Sequence, residues 1–132
     1  MENSGQGGYP LEQKHILVVD DDEPSRTLAA RVLARGGYKV DTAGGAEEAL
    51  GKTTANKFDL ILLDVMMPGM DGFEVCARLR RSGKSADTPV IMLTALDSLD
   101  DIAKANEAGA QWFVNKPYDS KYLLSVVNLR SL

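Results

Sequence analysis

Cysteine occurs once in these 132 residues, at Cys76, and histidine and tryptophan once each, at His15 and Trp112. A single thiol forms no internal disulfide, and a chain of this length buries a core without disulfides or metals to hold it together. Cys76 falls in a helical pattern, where it packs as a small apolar group, and a reducing, cytoplasmic setting fits. There is no basic surplus either: the net charge is -4, and Arg78, Arg80 and Arg81 make only a small cluster near a helix end. Direct nucleic-acid binding is therefore not expected. No apolar run is long enough to span a bilayer, and "MENSGQGGYPLEQK" has neither the basic nor the apolar region of a signal peptide. Residues 1–14 read as a flexible tail or linker, and no membrane association is expected. No segment repeats. What is present is ordinary: 44% apolar and 26% charged residues, the composition of one soluble globular domain.

Beyond the tail, short apolar runs alternate with longer stretches of helical period, the pattern of a parallel sheet with crossover helices. The spacing predicts strands at Ile16–Val19, Lys39–Thr42 (the weakest), Leu60–Leu63, Val90–Leu93 and Trp112–Asn115. Leu60–Leu63 and Val90–Leu93 are apolar on both faces, as central strands covered on each side should be. Helices are predicted at Ser25–Arg35, Ala46–Thr54, Gly72–Ser82, Ser98–Ala108 and Ser120–Leu129. Pro24 precedes the first and Gly36-Gly37 closes it. Asp71 can cap the third, and Asp97 or Ser98 the fourth, which ends at Gly109. Leu28 with Val32, and Leu123 with Val127, supply apolar stripes to lie on the sheet.

In such α/β sheets ligands bind beyond the carboxyl ends of the strands. Here those ends carry Asp20-Asp21-Asp22, Asp64, Thr94 and Lys116-Pro117. Acids at the ends of strands one and three would repel one another, by about 4 kcal/mol per pair at about 4 Å and an effective dielectric of about 20. They form a set of oxygen ligands suited to Mg²⁺, a hard ion often shared with a phosphate. The EF-hand pattern is absent. Asp64 is the expected nucleophile, since a carboxylate can attack phosphorus and carry an acyl phosphate. The Lys116 ammonium would neutralise charge on the transferring oxygens, and the Thr94 hydroxyl would donate to one of them.

In this order, "ILVVDDDEPSR", "DLILLDVMMPGMDGFEV", "PVIMLTA" and "AGAQWFVNKPY" resemble the receiver domain of two-component response regulators, over about residues 15–130. The resemblance implies a flavodoxin-like, three-layer doubly wound (βα)5 sandwich with strand order 2-1-3-4-5. It implies a phosphoacceptor at Asp64, served by a sensor histidine kinase or phosphotransfer protein, in a chain that catalyses only its own phosphorylation and dephosphorylation. It further implies that Asp21, Asp64 and the backbone carbonyl of Met66 hold Mg²⁺, with Asp20 acting mainly through water. Asp22 is left as a loop or capping residue. Lys116 precedes Pro117, often through a cis bond, while Gly69 and Gly72 bracket the loop after the acceptor.

Phosphorylation in this family moves the residue at Thr94 and turns the aromatic residue at Phe113. That alters a surface made by the fourth helix, the fifth strand and the fifth helix, which a downstream protein or output domain would read. No output domain is recognisable in the chain. Phe113 departs from the common Tyr, and Trp112 stands where regulators of the winged-helix type use an acid in a symmetric dimer. Met66 and Leu96 are apolar and expected to shield the acyl phosphate, slowing its hydrolysis. A phosphatase of the haloacid dehalogenase type can be read from Asp20 and Asp22, but leaves Asp64 without a role. A flavodoxin-like carrier would place its flavin phosphate against three acids. His15 starts the first strand, away from the acids, and "ARLRR" reads as the exposed face and end of a helix.

Overall fold

The computed structural model describes residues 13–81, 83–95 and 99–132, with the backbone alone at 99–101. Residues 1–12, Ser82 at the expected end of the third helix, Leu96, and the cap candidates Asp97 and Ser98 lie outside the described residues.

Ten elements alternate along the chain: β1 (His15–Val19), α1 (Glu23–Arg35), β2 (Lys39–Ala43), α2 (Ala46–Ala55), β3 (Leu60–Asp64), α3 (Gly72–Arg80), β4 (Val90–Thr94), α4 (Leu99–Ala108), β5 (Trp112–Asn115) and α5 (Ser120–Arg130). The five strands form one parallel sheet in the order β2-β1-β3-β4-β5. The fold is the expected doubly wound sandwich. Because successive strand side chains point to opposite faces, each interior strand feeds two cores. Leu17, Val19, Ile61, Leu63 and Met92 meet Ala49 of α2, Val75, Cys76 and Leu79 of α3, and Ala105 of α4. Ile16, Val18, Leu60, Leu62, Ile91 and Leu93 meet Ala29 and Leu33 of α1 and Leu123 and Val127 of α5.

The weakest predicted strand, β2, is an edge paired only with β1, and much of it is half-buried. Its side-chain support comes from Lys52 on α2, whose Nζ lies 2.9 Å from Asp41 and 3.4 Å from Glu48. His15 opens β1, with its ring 4.5 Å from that of Phe58.

Three local expectations need correction. The first helix begins at Glu23, with Pro24 inside its first turn and Asp22 as its cap, accepting from the Ser25 N–H at 3.0 Å. Proline is well placed there because the first helical N–H groups have no intrahelical acceptor to lose. On that helix the buried stripe is Ala29 and Leu33, one residue on from the predicted one, and Leu28 is 51% exposed. In "ARLRR", Arg80 is no solvated end. It donates to the carbonyls of Gly109 (2.8 and 3.0 Å) and Ser85 (3.0 Å), tying α3 to the end of α4. Gly109, at φ +97°, has a conformation open to glycine, and a Cβ there would fall 2.7 Å from Arg80 Cγ.

Candidate functional site

The register of the sheet decides which residues meet. Val19 pairs with Leu63, Asp64 with Leu93, and Thr94 with Asn115, so the carboxyl ends of β1, β3, β4 and β5 finish on one rim. Asp20 follows β1, Asp64 closes β3, Thr94 closes β4, and Lys116 follows β5. The Lys116 N–H donates to the Thr94 carbonyl at 2.8 Å, joining the last two ends, and the Lys116–Pro117 peptide is cis.

The side chains converge. Lys116 Nζ donates to Asp20 Oδ2 at 3.0 Å and stands 3.6 Å from Asp64 Oδ2. Asp20 and Asp64 are almost closed off, with 2% and 7% of their side chains exposed. Asp21 is exposed, and among the described residues one carboxylate oxygen each from Asp20, Asp21 and Asp64 lie within 4.8 Å of one another. Asp22 turns away as the helix cap. The Met66 N–H donates to Asp64 Oδ1 at 3.3 Å, whereas the Met66 residue is 62% exposed. Thr94 is buried and lines a 440 Å³ cavity with Phe73, Phe113, Asn115 and Tyr118.

The acids are held in different protonation regimes. Burial raises the Asp64 carboxyl to about 6, helped by the charge on Asp20 and opposed by Lys116. Burial also acts to raise Asp20, but the Asp22 N–H and the Lys116 hydrogen bond outweigh it and keep Asp20 below the ordinary carboxylate value. Burial would lower Lys116; its hydrogen bond to Asp20 and the charges of both acids overcome that and raise it. One ammonium thus serves both acids, hydrogen-bonding Asp20 and standing farther from Asp64, whose carboxyl stays raised because its burial outweighs the attraction of Lys116. Oxygen donors packed this closely, with one exposed member, suit a hard divalent cation.

Backbone packing adds two residues whose parts the sequence did not disclose. Gly69, at φ +78°, supplies the turn after β3, but Gly72 has a further part: a Cβ on it would fall 2.5 Å from the Asp64 carbonyl oxygen and 2.9 Å from Val65 Cα. The N-terminus of α3 can lie against the backbone of the central acid only because residue 72 is glycine. Arg26, from α1, donates through Nη1 to the Asp20 carbonyl at 2.8 Å. Its position four residues after the Asp22 cap was the available signal, since helical side chains lean toward the N-terminus.

Comparison with known proteins bears on the family and the fold. The family model described as "Response regulator receiver domain" matches residues 16–128. Among curated proteins, a probable transcriptional regulator, ycf27, of Cyanidium caldarium is 44% identical over 111 residues, 84% of this chain and 43% of that protein. The alkaline phosphatase synthesis transcriptional regulatory protein PhoP of Bacillus subtilis is 46% identical over 108 residues, 82% of this chain and 44% of its own length. The chain therefore spans less than half the length of these relatives. Among solved structures, the chemotaxis protein CheY4 of Vibrio cholerae superposes with a TM-score of 0.88 at 34% identity, covering 92% of this chain and all of that one. Among the described residues, no helix is long and apolar enough to cross a membrane.

Proposed function

Given that this chain belongs to the response regulator receiver domain family, we propose that it is the phosphoacceptor module of a two-component phosphorelay, with Asp64 as the acceptor. The donor is a phosphohistidine on a sensor histidine kinase or phosphotransfer protein. An Asp64 carboxylate oxygen attacks phosphorus, the bond from phosphorus to the histidine nitrogen breaks, and an acyl phosphate is left on the chain. Lys116, 3.6 Å from the attacking group, stands ready to neutralise the incoming phosphoryl oxygens. Thr94 donates its hydroxyl to one of them.

Asp21, Asp64 and the backbone carbonyl of Met66 would hold Mg²⁺, with Asp20 reaching it through water. The ion, when bound, offsets negative charge on the phosphoryl group and the acids. The observation that carries the reading is the cluster itself: two nearly buried carboxylates sharing one ammonium at 3.0 and 3.6 Å, with a third acid close by.

The chain would act as an enzyme only on itself. Its output is a changed surface on α4, β5 and α5, reached through Thr94 and Phe113, which line the same cavity. Phosphate shifts this equilibrium by binding one arrangement more tightly than the other. The reader of that surface is a downstream protein or an output domain. Nucleic-acid contact, if the full-length protein resembles the transcriptional regulators above, belongs to that output and not to these acidic residues. Position 112 is Trp rather than an acid, which argues against a symmetric dimer built on an acid there; the centroid of the Trp112 ring instead lies 3.1 Å from Arg130 Cζ. The test is incubation with acetyl phosphate and Mg²⁺ followed by intact-mass measurement. One phosphoryl adduct is expected on the wild type and none on Asp64→Ala; an adduct on both would mean another acceptor.

A further inference from the structure

Arg26 occupies an unfavourable place for a cation. It lies about one turn into α1, near the end where the helix dipole favours acids, yet its side chain is only 21% exposed. The guanidinium reaches back across the β1–α1 junction, where Nη1 donates to the Asp20 carbonyl at 2.8 Å, and Nη2 stands 3.9 Å from Glu23. Gly44 leaves the room for it, since a Cβ there would come within 3.3 Å of Nη1.

This contact fixes more than Asp20. The Asp20 N–H already donates to the Ala43 carbonyl at 3.1 Å, so with Arg26 both backbone polar groups of Asp20 are held. A peptide unit is planar, and holding the Asp20 carbonyl oxygen therefore also sets the N and Cα of Asp21. On the far side of Asp21, the Asp22 N–H is held by Asp20 Oδ1 at 3.0 Å. Asp21 is thus suspended between two anchored peptides, and its carboxylate is the exposed member of the three-acid cluster.

We propose that Arg26 is a positioning residue for the cation site: by gripping the Asp20 carbonyl it aims the Asp21 carboxylate at Asp64, and so sets the affinity for a divalent ion without touching it. The proposal rests on the cation reading above. Groups that orient metal ligands in this indirect way typically contribute about tenfold or more to affinity.

The test is a Mg²⁺ titration followed by amide NMR shifts, on wild type, Arg26→Met, Asp21→Asn and the double variant, each first checked for native far-UV circular dichroism. Arg26→Met is expected to weaken Mg²⁺ about tenfold. Because Arg26 acts through Asp21, it should add less than about twofold once Asp21 is Asn, a coupling that general loosening of the fold would not produce. Unchanged affinity in Arg26→Met, or full additivity in the double variant, overturns the proposal and leaves the cation reading standing. A wild type that does not bind Mg²⁺ overturns both. Should Arg26→Met fail to fold, Arg26→Gln keeps a polar side chain too short for the carbonyl; the same loss supports the proposal, and wild-type affinity refutes it.

Discussion

Replacing Asp64 by Asn should make the protein more stable near neutral pH, although it removes the central acid. The carboxyl is raised in the folded chain from 3.8 to about 6, chiefly by burial. Between those values the folded state holds more protons at this group than the unfolded state, so stability falls as pH rises, and the full cost is present above about pH 6. A shift of this size corresponds to about 3 kcal/mol. Asn keeps the shape and can still accept from the Met66 N–H, which donates to Oδ1 at 3.3 Å, while Lys116 keeps its 3.0 Å partner in Asp20. The variant should therefore gain up to about 3 kcal/mol, or roughly 10 °C in Tm, at about pH 7.5 with EDTA present. The gain should shrink as pH falls from about 6 and vanish below about pH 3, where the wild-type carboxyl is protonated in both states. Urea denaturation followed by far-UV circular dichroism at the two pH values measures it. A variant no more stable than wild type at neutral pH, or equally favoured at both, would refute the reasoning.

Gly72→Ala would push a methyl into the Asp64 carbonyl at 2.5 Å and should cost about 3 kcal/mol, read as a lower urea midpoint with unchanged m-value. Arg80→Met removes both donors to the Gly109 carbonyl and one of the two to the Ser85 carbonyl, which keeps the Thr88 N–H at 3.3 Å; about 2 kcal/mol should be lost, with faster amide exchange around Gly109. Lys116→Met strands the Asp20 carboxylate at 2% exposure. It should cost about 3 kcal/mol at neutral pH in urea denaturation, with a smaller deficit in acid, and acetyl phosphate should no longer label the chain at a measurable rate.

The fold could be read largely because β1, β3 and β4 are continuous apolar runs between helical stretches, a pattern that few other architectures produce. Even the edge strand β2 was found within a residue of its end. The stripe on α1 was misjudged because Ala29 and Leu33 carry less apolar bulk than the pair Leu28 and Val32. Burial of a small residue is decided by what faces it, which periodicity does not encode. Arg80 was misread for a related reason: a guanidinium in a basic run looks solvated until the carbonyls of Gly109 and Ser85, distant in sequence, are brought to it. At the site, Asp20, Asp21, Asp64, Thr94 and Lys116 were identifiable because strand ends concentrate chemistry on one rim. Their order could not reveal that Lys116 lies closer to Asp20 than to Asp64, or that the Arg26 side chain turns back to the Asp20 carbonyl. Those features depend on side-chain directions across elements rather than along one.

The most direct test of the central claim is to trap the phosphorylated group chemically. After reaction with acetyl phosphate and Mg²⁺, borohydride reduces an acyl phosphate on aspartate to homoserine, and peptide mass mapping locates it. Homoserine in the peptide containing Asp64, dependent on Mg²⁺ and absent from the peptide containing Asp20 to Asp22, is the expected result. Homoserine elsewhere, or a phosphoryl adduct that resists borohydride, would contradict it.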